Sequence, residues 1–408
     1  MACVKRCRFD VSSTLACRDQ RLLKSTPAVP HKLYLHRPQL PQTTAGCVVV
    51  PCGQIGFDAL RDLLQGHATQ IALDQHPVMR RLPLYWPDDG FGLMVVALEA
   101  LFFIGGLVLL TQLTPWSMAF VGVQILLGSS IFRFFVLMHD CGHYSLFKTR
   151  QLNNLVGYFT SMFCVTPLLA WREIHFQHHK WVGIKDRNPT AAGLITFEQK
   201  QQHSKFMVAL LRVIWVLRLP VPAITFTINV LWLYPARLLR QGQTGEALAV
   251  LGSGVIALAP HAISIGIWGW GTYATYFLPI LLASFFWYEM INLTHHAGLY
   301  KYEASQHPEP LALHEQQTVS RSCYMPTWLS AVLCYHFNLH AEHHLFPVIP
   351  WHHLPAVRKA LAQLQVDDYI DVPFPGFTNA LRREDPVQVL LNRLSPAIEQ
   401  MQKPLLPR

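Results

Sequence analysis

Four long apolar stretches constrain the fold of this chain more than any other feature of its sequence. A helix that crosses a bilayer needs about 20 mostly apolar residues in a row, and each stretch is close to or above that length. Their only charged residues are Glu99, Arg133 and Glu289, and such residues usually face the interior of a helix bundle. The sequence therefore predicts an all-α integral membrane protein with four transmembrane helices, at residues 93–113, 117–138, 247–270 and 273–291.

The connections between these stretches predict their orientation. Residues 114–116 join the first pair and residues 271–272 join the second pair, which makes two tight helical hairpins. Neither connection contains Lys or Arg, so the positive-inside rule places the opposite ends and both termini in the cytoplasm, or in the stroma of an organelle. Those opposite ends carry Lys148, Arg150, Arg172, Lys180, Lys185, Arg187, Lys301 and Arg321.

The flanking segments divide the chain into four regions. Only 14% of the residues are charged, against about 25% in a soluble domain, and many of the basic residues lie near the start. Residues 1–46 hold eight Lys or Arg residues against two Asp residues, which is typical of a disordered basic tail or a targeting segment. We expect a soluble lead-in at 47–90, the membrane domain at 91–353 and a cytoplasmic C-terminal tail at 354–408.

Histidines form four clusters at the predicted cytoplasmic ends of these helices. The clusters are HDCGH at 139–143, HFQHH at 175–179, HH at 295–296 and HAEHH at 340–344. Residues three and four positions apart share one face of a helix, so each cluster can aim two or three imidazoles at one point. Imidazole binds iron, zinc, copper and nickel well. Four clusters of this spacing predict a metal centre rather than packing histidines.

The number of clustered histidines predicts two metal ions. A zinc site closes at four ligands, or at three plus water, whereas about nine imidazoles are available here. Because zinc is redox-inert, iron is the expected metal for a site of this size. Soluble di-iron bundles use Glu-x-x-His motifs, and no Glu in this sequence has a His three residues later.

The position of the clusters also restricts two ambiguous apolar segments, 154–170 and 206–234. A single crossing by either segment would put the clusters on opposite sides of the membrane. We therefore expect 154–170 to be interfacial or re-entrant, and 206–234 to be interfacial or a hairpin that crosses twice.

The order HDCGH, HFQHH and then HAEHHLFP after a second pair of spans resembles the membrane fatty-acid desaturase superfamily over roughly residues 90–360. The histidine in HHAGL matches a further ligand position that family members often have. Asn292, four residues earlier, matches a water-mediated ligand of the acyl-CoA branch, and His295 is a neighbouring candidate ligand. The resemblance implies that the iron ligands are His139, His143, His175, His178, His179, His296, His340, His343 and His344.

Carboxylates close to these clusters are candidates for the second coordination sphere. A ligand imidazole usually donates its free N–H to a carboxylate or a carbonyl. Asp140, Glu173, Asp186 and Glu342 are close enough in sequence to accept such a bond. No residue of a substrate site can be identified from the sequence.

The resemblance implies an O₂-dependent fatty-acyl desaturase that uses two iron ions, takes O₂ as co-substrate and forms a cis double bond. Its substrate would be an acyl-lipid or an acyl-thioester in the bilayer, and no nucleic-acid partner is expected. Some relatives carry a fused cytochrome b5 domain with an HPGG motif. This sequence has no such motif, so we expect a separate ferredoxin or cytochrome b5 as electron donor.

Two alternatives remain open at this level. A hydroxylase, epoxygenase or carotenoid-type oxygenase could use the same scaffold without an obvious change of motif. A non-enzymatic haem-binding or metal-binding membrane protein is a more distant alternative, because bis-histidine haem needs histidines that face each other inside the bilayer.

Overall fold

The computed structural model describes residues 87–191, 204–364, 366 and 368–402, together with two short strands near the N-terminus. These strands, β1 (Cys7–Arg8) and β2 (Ala16–Cys17), pair antiparallel with Cys7 opposite Cys17. The predicted tail at 1–46 and the predicted lead-in at 47–90 otherwise lie outside the described residues, apart from 87–90.

The first helical hairpin is present as expected. Helix α1 (Asp89–Gln112) begins at Asp88, whose side chain accepts from the backbone N–H of Phe91, and α2 (Met118–His143) begins at a Ser117 cap. Such caps satisfy backbone donors that the first helical turn leaves free.

Glu99, Ser130 and Arg133 of this hairpin form a buried polar cluster with the partly buried Tyr335 of a later loop. In it, Arg133 donates to both carboxylate oxygens of Glu99 at 2.7 and 2.8 Å, Tyr335 donates to Glu99 at 2.6 Å, and Ser130 also donates to Glu99.

The next helices are bent rather than continuous. Helix α3 (Arg150–Cys164) meets α4 (Leu168–Trp181) at 98°. The bend occurs where Val165 takes a positive φ of 53° and Pro167 precedes α4. Helix α5 (Lys205–Val216) is bent by 110° against the helical segment 221–240. That segment consists of α6 (Val221–Ile228), a π-helical turn (Asn229–Leu233) and α7 (Tyr234–Arg240).

The second long hairpin differs from the prediction. Helix α8 (Thr244–Tyr276) is broken by a kink two residues before the predicted turn at 271–272, and α9 (Leu278–His296) begins after Phe277. The chain departs from helical geometry at Gly269, with φ 80° and ψ 157°, a conformation that suits glycine. Pro279 lies in the first turn of α9, where its missing N–H is tolerated.

Among the described residues, three helices are long and apolar enough to cross a membrane: α1, α2 and α8. The number rises to five if each of the two bent pairs is one span. The predicted helical membrane fold is therefore confirmed in outline, and the arrangement of four spans in two hairpins stays a prediction.

The region from residue 354, predicted as a cytoplasmic tail, pairs and packs with the part of the chain that carries the last histidine cluster. Strand β3 (Ser322–Tyr324) pairs in parallel with β4 (Asp371–Pro373). Leu354, Val357 and Leu361 pack in one cluster with apolar residues that flank the last histidine cluster, because their helical spacing gives helix α12 (Leu354–Leu364) an apolar face. The remaining elements of this region are α10 (Thr327–Cys334), α11 (His340–Leu345), α12 (Leu354–Leu364), α13 (Gly376–Leu381), α14 (Pro386–Leu390) and α15 (Pro396–Met401).

Candidate metal centre

One set of four imidazoles, called here the first histidine group, comes from three helices. His139 and His143 lie one turn apart at the end of α2, His175 lies on α4, and His343 lies on α11. Their candidate ligand atoms all lie within 4.8 Å of one another. This convergence is the geometry expected of one metal site.

A second set, called the second histidine group, consists of His178, His296, His340 and His344, again with candidate ligand atoms within 4.8 Å of one another. The Nε2 atom of His340 is 2.8 Å from that of His296 and 3.1 Å from that of His344. The Nε2 atom of His178 is 3.3 Å from that of His344. These four rings therefore point their Nε2 atoms at a common position.

His179, the ninth predicted histidine, lies against both groups. Its Nε2 atom is 3.0 Å from the Nε2 atoms of His175 and His343 in the first group. Its ring centroid is 4.2 Å from that of His344 in the second group. The structure thus brings all nine histidines together, as the sequence predicts.

Each His-x-x-His-His motif contributes to both groups, and helix geometry explains the division. Adjacent residues of an α-helix point about 100° apart, so neighbouring histidines cannot face the same point. On α11, His343 belongs to the first group, while His340 and His344, one turn apart, belong to the second. On α4, His175 belongs to the first group and His178 to the second. Two facing helices with this motif therefore build two sites.

Outer contacts orient several of these rings through Nδ1. The Nδ1 atom of His296 lies 3.0 Å from the carbonyl of Val319, and that of His344 lies 2.9 Å from Gln316 Oε1. Gln316 donates its own amide to the carbonyl of His179, which fixes its oxygen towards His344. Because these oxygens accept, Nδ1 carries the proton and Nε2 keeps its lone pair for a metal.

The side chains of Asn188 and Asp140 make similar contacts. Asn188 Oδ1 lies 3.2 Å from His178 Nδ1, and Asp140 Oδ1 lies 3.1 Å from His139 Nδ1. Only Asp140 among these outer partners was predicted from sequence. Asn188, Gln316 and Val319 lie in loops or short turns 10, 28 and 23 residues from their histidines, where no spacing rule connects the two.

The other predicted carboxylates make different contacts. Both carboxylate oxygens of Glu342 accept from hydroxyl groups, one from Tyr369 at 2.5 Å and one from Ser322. Burial raises the pKa of Glu342 to about 7, although these two hydrogen bonds lower it. Asp186 accepts from the backbone N–H of Ala304, and Glu173 accepts from Gln177.

His295 and Asn292 lie beside the two groups on α9. The ring of His295 stacks on that of His340, with centroids 3.9 Å apart and planes 10° apart. Neither nitrogen of His295 has a hydrogen-bond partner among the described residues. Asn292 is partly buried, one turn before His296.

The chemistry of these side chains fits two metal ions. All the converging donors are imidazoles, and burial holds the pKa values of His340, His343 and His344 well below their ordinary value, so these rings are neutral at pH 7. Neutral imidazole is the form that binds metals. Lone pairs that face each other at about 3 Å repel, and a cation between them removes that repulsion. In the described part of the chain, the buried Nε2 atoms of His139 and His143 also have no hydrogen-bond partner.

Comparison with known proteins agrees with this site. A family model described as fatty acid desaturase matches residues 114–373. The chain is 29% identical over 263 residues to an sn-1 oleoyl-lipid 12-desaturase of Picosynechococcus sp., which covers 63% of this chain and 72% of that relative. It is 28% identical over 254 residues to a chloroplastic omega-6 fatty acid desaturase of Spinacia oleracea, which covers 60% of this chain and 54% of that relative. The region matched by the family model, residues 114–373, contains all four histidine clusters and spans more than half of the sequence. This chain therefore belongs to the fatty acid desaturase family and is an oxidoreductase.

Proposed function

We propose that this protein is an O₂-dependent acyl-lipid desaturase that introduces one cis double bond with the help of two iron ions. The observation that carries the proposal is the convergence of nine buried or partly buried histidines, four in each of two adjoining groups and His179 against both. The relatives named as oleoyl-lipid and omega-6 desaturases support an acyl chain as substrate. Overall, two C–H bonds break, one C=C bond forms, and O₂ is reduced to two waters with two further electrons and two protons.

The two histidine groups are the proposed iron ligands, with His179 between them. Bound iron would supply O₂ activation and the oxidation of an unactivated methylene, which no side-chain acid or base can perform. The protein's part is to hold the rings and exclude water. Trp171 stacks on His175 at 4.4 Å, and the ring of Phe337 meets that of His139 edge-on at 5.3 Å. We infer that these rings form an apolar side of the reaction site.

A small, mostly apolar cavity lies near this side, and we propose that it marks the entry of the acyl chain. It lies between α2, the bend after α3, α6 and α9, and most of its lining is apolar. Phe135 lines the cavity and contacts Phe337, which in turn contacts His139. Two packed phenylalanine rings thus connect the cavity to the first histidine group, and we propose that the acyl chain lies along them.

Replacing Ala223, which lines this cavity, by phenylalanine should shift the enzyme to shorter acyl chains. Each methylene that no longer fits loses about 0.8 kcal/mol of burial, or roughly a fourfold weakening. Product profiles from a host fed acyl chains of graded length measure the effect. A matched substitution of exposed Val255 by phenylalanine should leave the profile unchanged. If both variants keep the original profile, the acyl chain does not occupy this cavity.

The electron donor is proposed to be a separate ferredoxin or cytochrome b5. Lys180 and Trp181 follow His178 and His179 directly in the sequence. The side chains of Lys180 and Arg187 lie over the ring of Trp181, at 5.2 and 5.4 Å from its centroid. A basic surface of this kind steers an acidic partner by long-range attraction. It gives the donor an approach to the metal centre from the aqueous side.

The proposed topology places all histidine clusters on the cytoplasmic or stromal side. Reporter fusions after Arg150, Lys185, Lys301 and Leu364 should all indicate that side. A cysteine introduced at residue 115 should react only with reagents added to the opposite side. One fusion on the wrong side would separate the clusters and contradict a shared site.

A further inference from the structure

Arg321 lies buried beside the end of α9. Its backbone N–H donates to the carbonyl of His295 at 2.9 Å. Its guanidinium donates through Nη1 to the carbonyl of Thr294 at 2.6 Å and through Nη2 to that of Ala297 at 3.1 Å. One residue therefore holds three carbonyl groups that surround the backbone of His296.

The end of a helix explains why a cation is needed there. The last turn of an α-helix leaves carbonyl groups without intrahelical partners, and a positive charge interacts favourably with that end of the helix dipole. Burial of a guanidinium is costly unless hydrogen bonds compensate for lost water. Within the described ranges, Arg321 forms no ion pair with a carboxylate. The carbonyl groups at the end of α9 therefore take the place of a counter-ion.

The C-terminal region holds Arg321 from its other side. Nη2 also donates to Gln402 Oε1 at 2.6 Å, and the guanidinium lies 4.6 Å from the ring centroid of Phe377. Both contacts come from residues beyond 373, where the family match ends. Residues outside that match thus orient a side chain next to the metal centre.

The same segment also contacts the ring of His296. Val319, two residues before Arg321, accepts from His296 Nδ1 at 3.0 Å, while His296 Nε2 lies 2.8 Å from His340 Nε2. The segment 319–321 therefore fixes His296 at both its backbone and its ring. The first histidine group takes no member from α9.

We propose that Arg321 is a positioning residue for the second histidine group, and that Gln402 and Phe377 hold it in that role. Arg321 sets the position of His296 Nε2 without touching metal or substrate. This inference rests on the proposed di-iron function. It predicts that the two histidine groups respond differently when Arg321 is changed.

The test uses the full-length chain, supplied with iron and purified from membranes, with iron per chain and chelator resistance as readouts. The unsubstituted protein should hold about two irons and Arg321→Met about one, since each four-histidine group binds one ion. Arg321→Lys keeps the charge, so its iron content should lie between those of the unsubstituted protein and Arg321→Met. Gln402→Ala should lose one iron at a lower chelator concentration than the unsubstituted protein does. Arg212→Met, which removes an exposed ion pair with Asp385, is the matched control and should hold about two irons.

Double variants identify which group is affected. Adding His296→Ala to Arg321→Met should cause no further loss of iron, whereas adding His343→Ala should remove the remaining ion. Two irons with unchanged chelator resistance in both Arg321→Met and Gln402→Ala would overturn the proposal, and so would equal loss from both groups. If Arg321→Met does not insert into membranes, Gln402→Ala decides alone by the same criterion. If the unsubstituted protein does not bind two irons, that measurement contradicts the proposed di-iron function, and with it this inference.

Discussion

Substitution of His343 by alanine will reduce desaturation to the background of the assay, although the chain will still insert into membranes. His343 belongs to the first histidine group, and its Nε2 atom lies 3.0 Å from that of His179. Losing an outer partner of a metal ligand costs about 10–100-fold, so losing the ligand itself should cost at least about 100-fold. Double bonds formed per chain, measured by mass spectrometry of fatty-acid esters, give the result.

Two further variants provide a comparison for this loss of activity. Gln316→Ala removes the acceptor for His344 Nδ1 and should lose about 10–100-fold. His307→Ala removes an exposed hydrogen bond with the Glu309 carbonyl and a ring contact with Tyr302, and it should retain full activity. Equal activity of His343→Ala and His307→Ala would remove the first histidine group from the chemistry.

Omission of the electron donor will reduce desaturation as much as the His343→Ala substitution does. Reduction of O₂ to two waters takes four electrons, and formation of one double bond supplies only two. With ferredoxin or cytochrome b5 and an NAD(P)H reductase, the protein should consume O₂ and yield an acyl chain that lacks two hydrogen atoms. Without the donor, product should not exceed a single turnover.

The mass of the product separates desaturation from its rivals. Gain of one oxygen atom without an alkene would favour a hydroxylase, and gain of oxygen across an existing alkene would favour an epoxygenase. An optical spectrum with a Soret band would instead indicate haem. If none of these products forms across a range of chain lengths with an active donor, the substrate is not an ordinary fatty-acyl chain.

The histidine clusters could be predicted because their geometry is local. Residues at spacing i, i+3 and i+4 lie on one side of any helix. The division of His343 and His344 between two groups was not predicted, although the step of about 100° between neighbouring residues explains it. Contacts such as Gln316 to His344 join residues 28 apart. Nothing in the local pattern of either segment indicates the other, so the sequence could not predict this pair.

The structure differs from the sequence prediction in two places, for different reasons. The turn of the second hairpin is predicted at 271–272 because two apolar stretches meet there, whereas the chain leaves helical geometry at Gly269, where glycine permits a positive φ. The C-terminal region was taken as a tail because it is polar and contains several prolines. Its short helices still bury apolar residues such as Leu361 and Phe377, which a search for long periodic segments does not detect.

The ion pair between Glu99 and Arg133 has a consequence for how the protein is made. A single charge near the middle of a lone membrane helix costs about 2.5–3.5 kcal/mol during insertion, and Glu99 lies near the middle of α1. Helices α1 and α2 should therefore leave the translocation machinery together, as a neutralised pair. Tyr335, 236 residues further along the chain, can complete the cluster only after the rest of the protein has been synthesised. A chain in which Glu99 alone is replaced should thus be degraded early by membrane quality control, whereas one with Tyr335→Phe should pass that checkpoint and be impaired only in later packing.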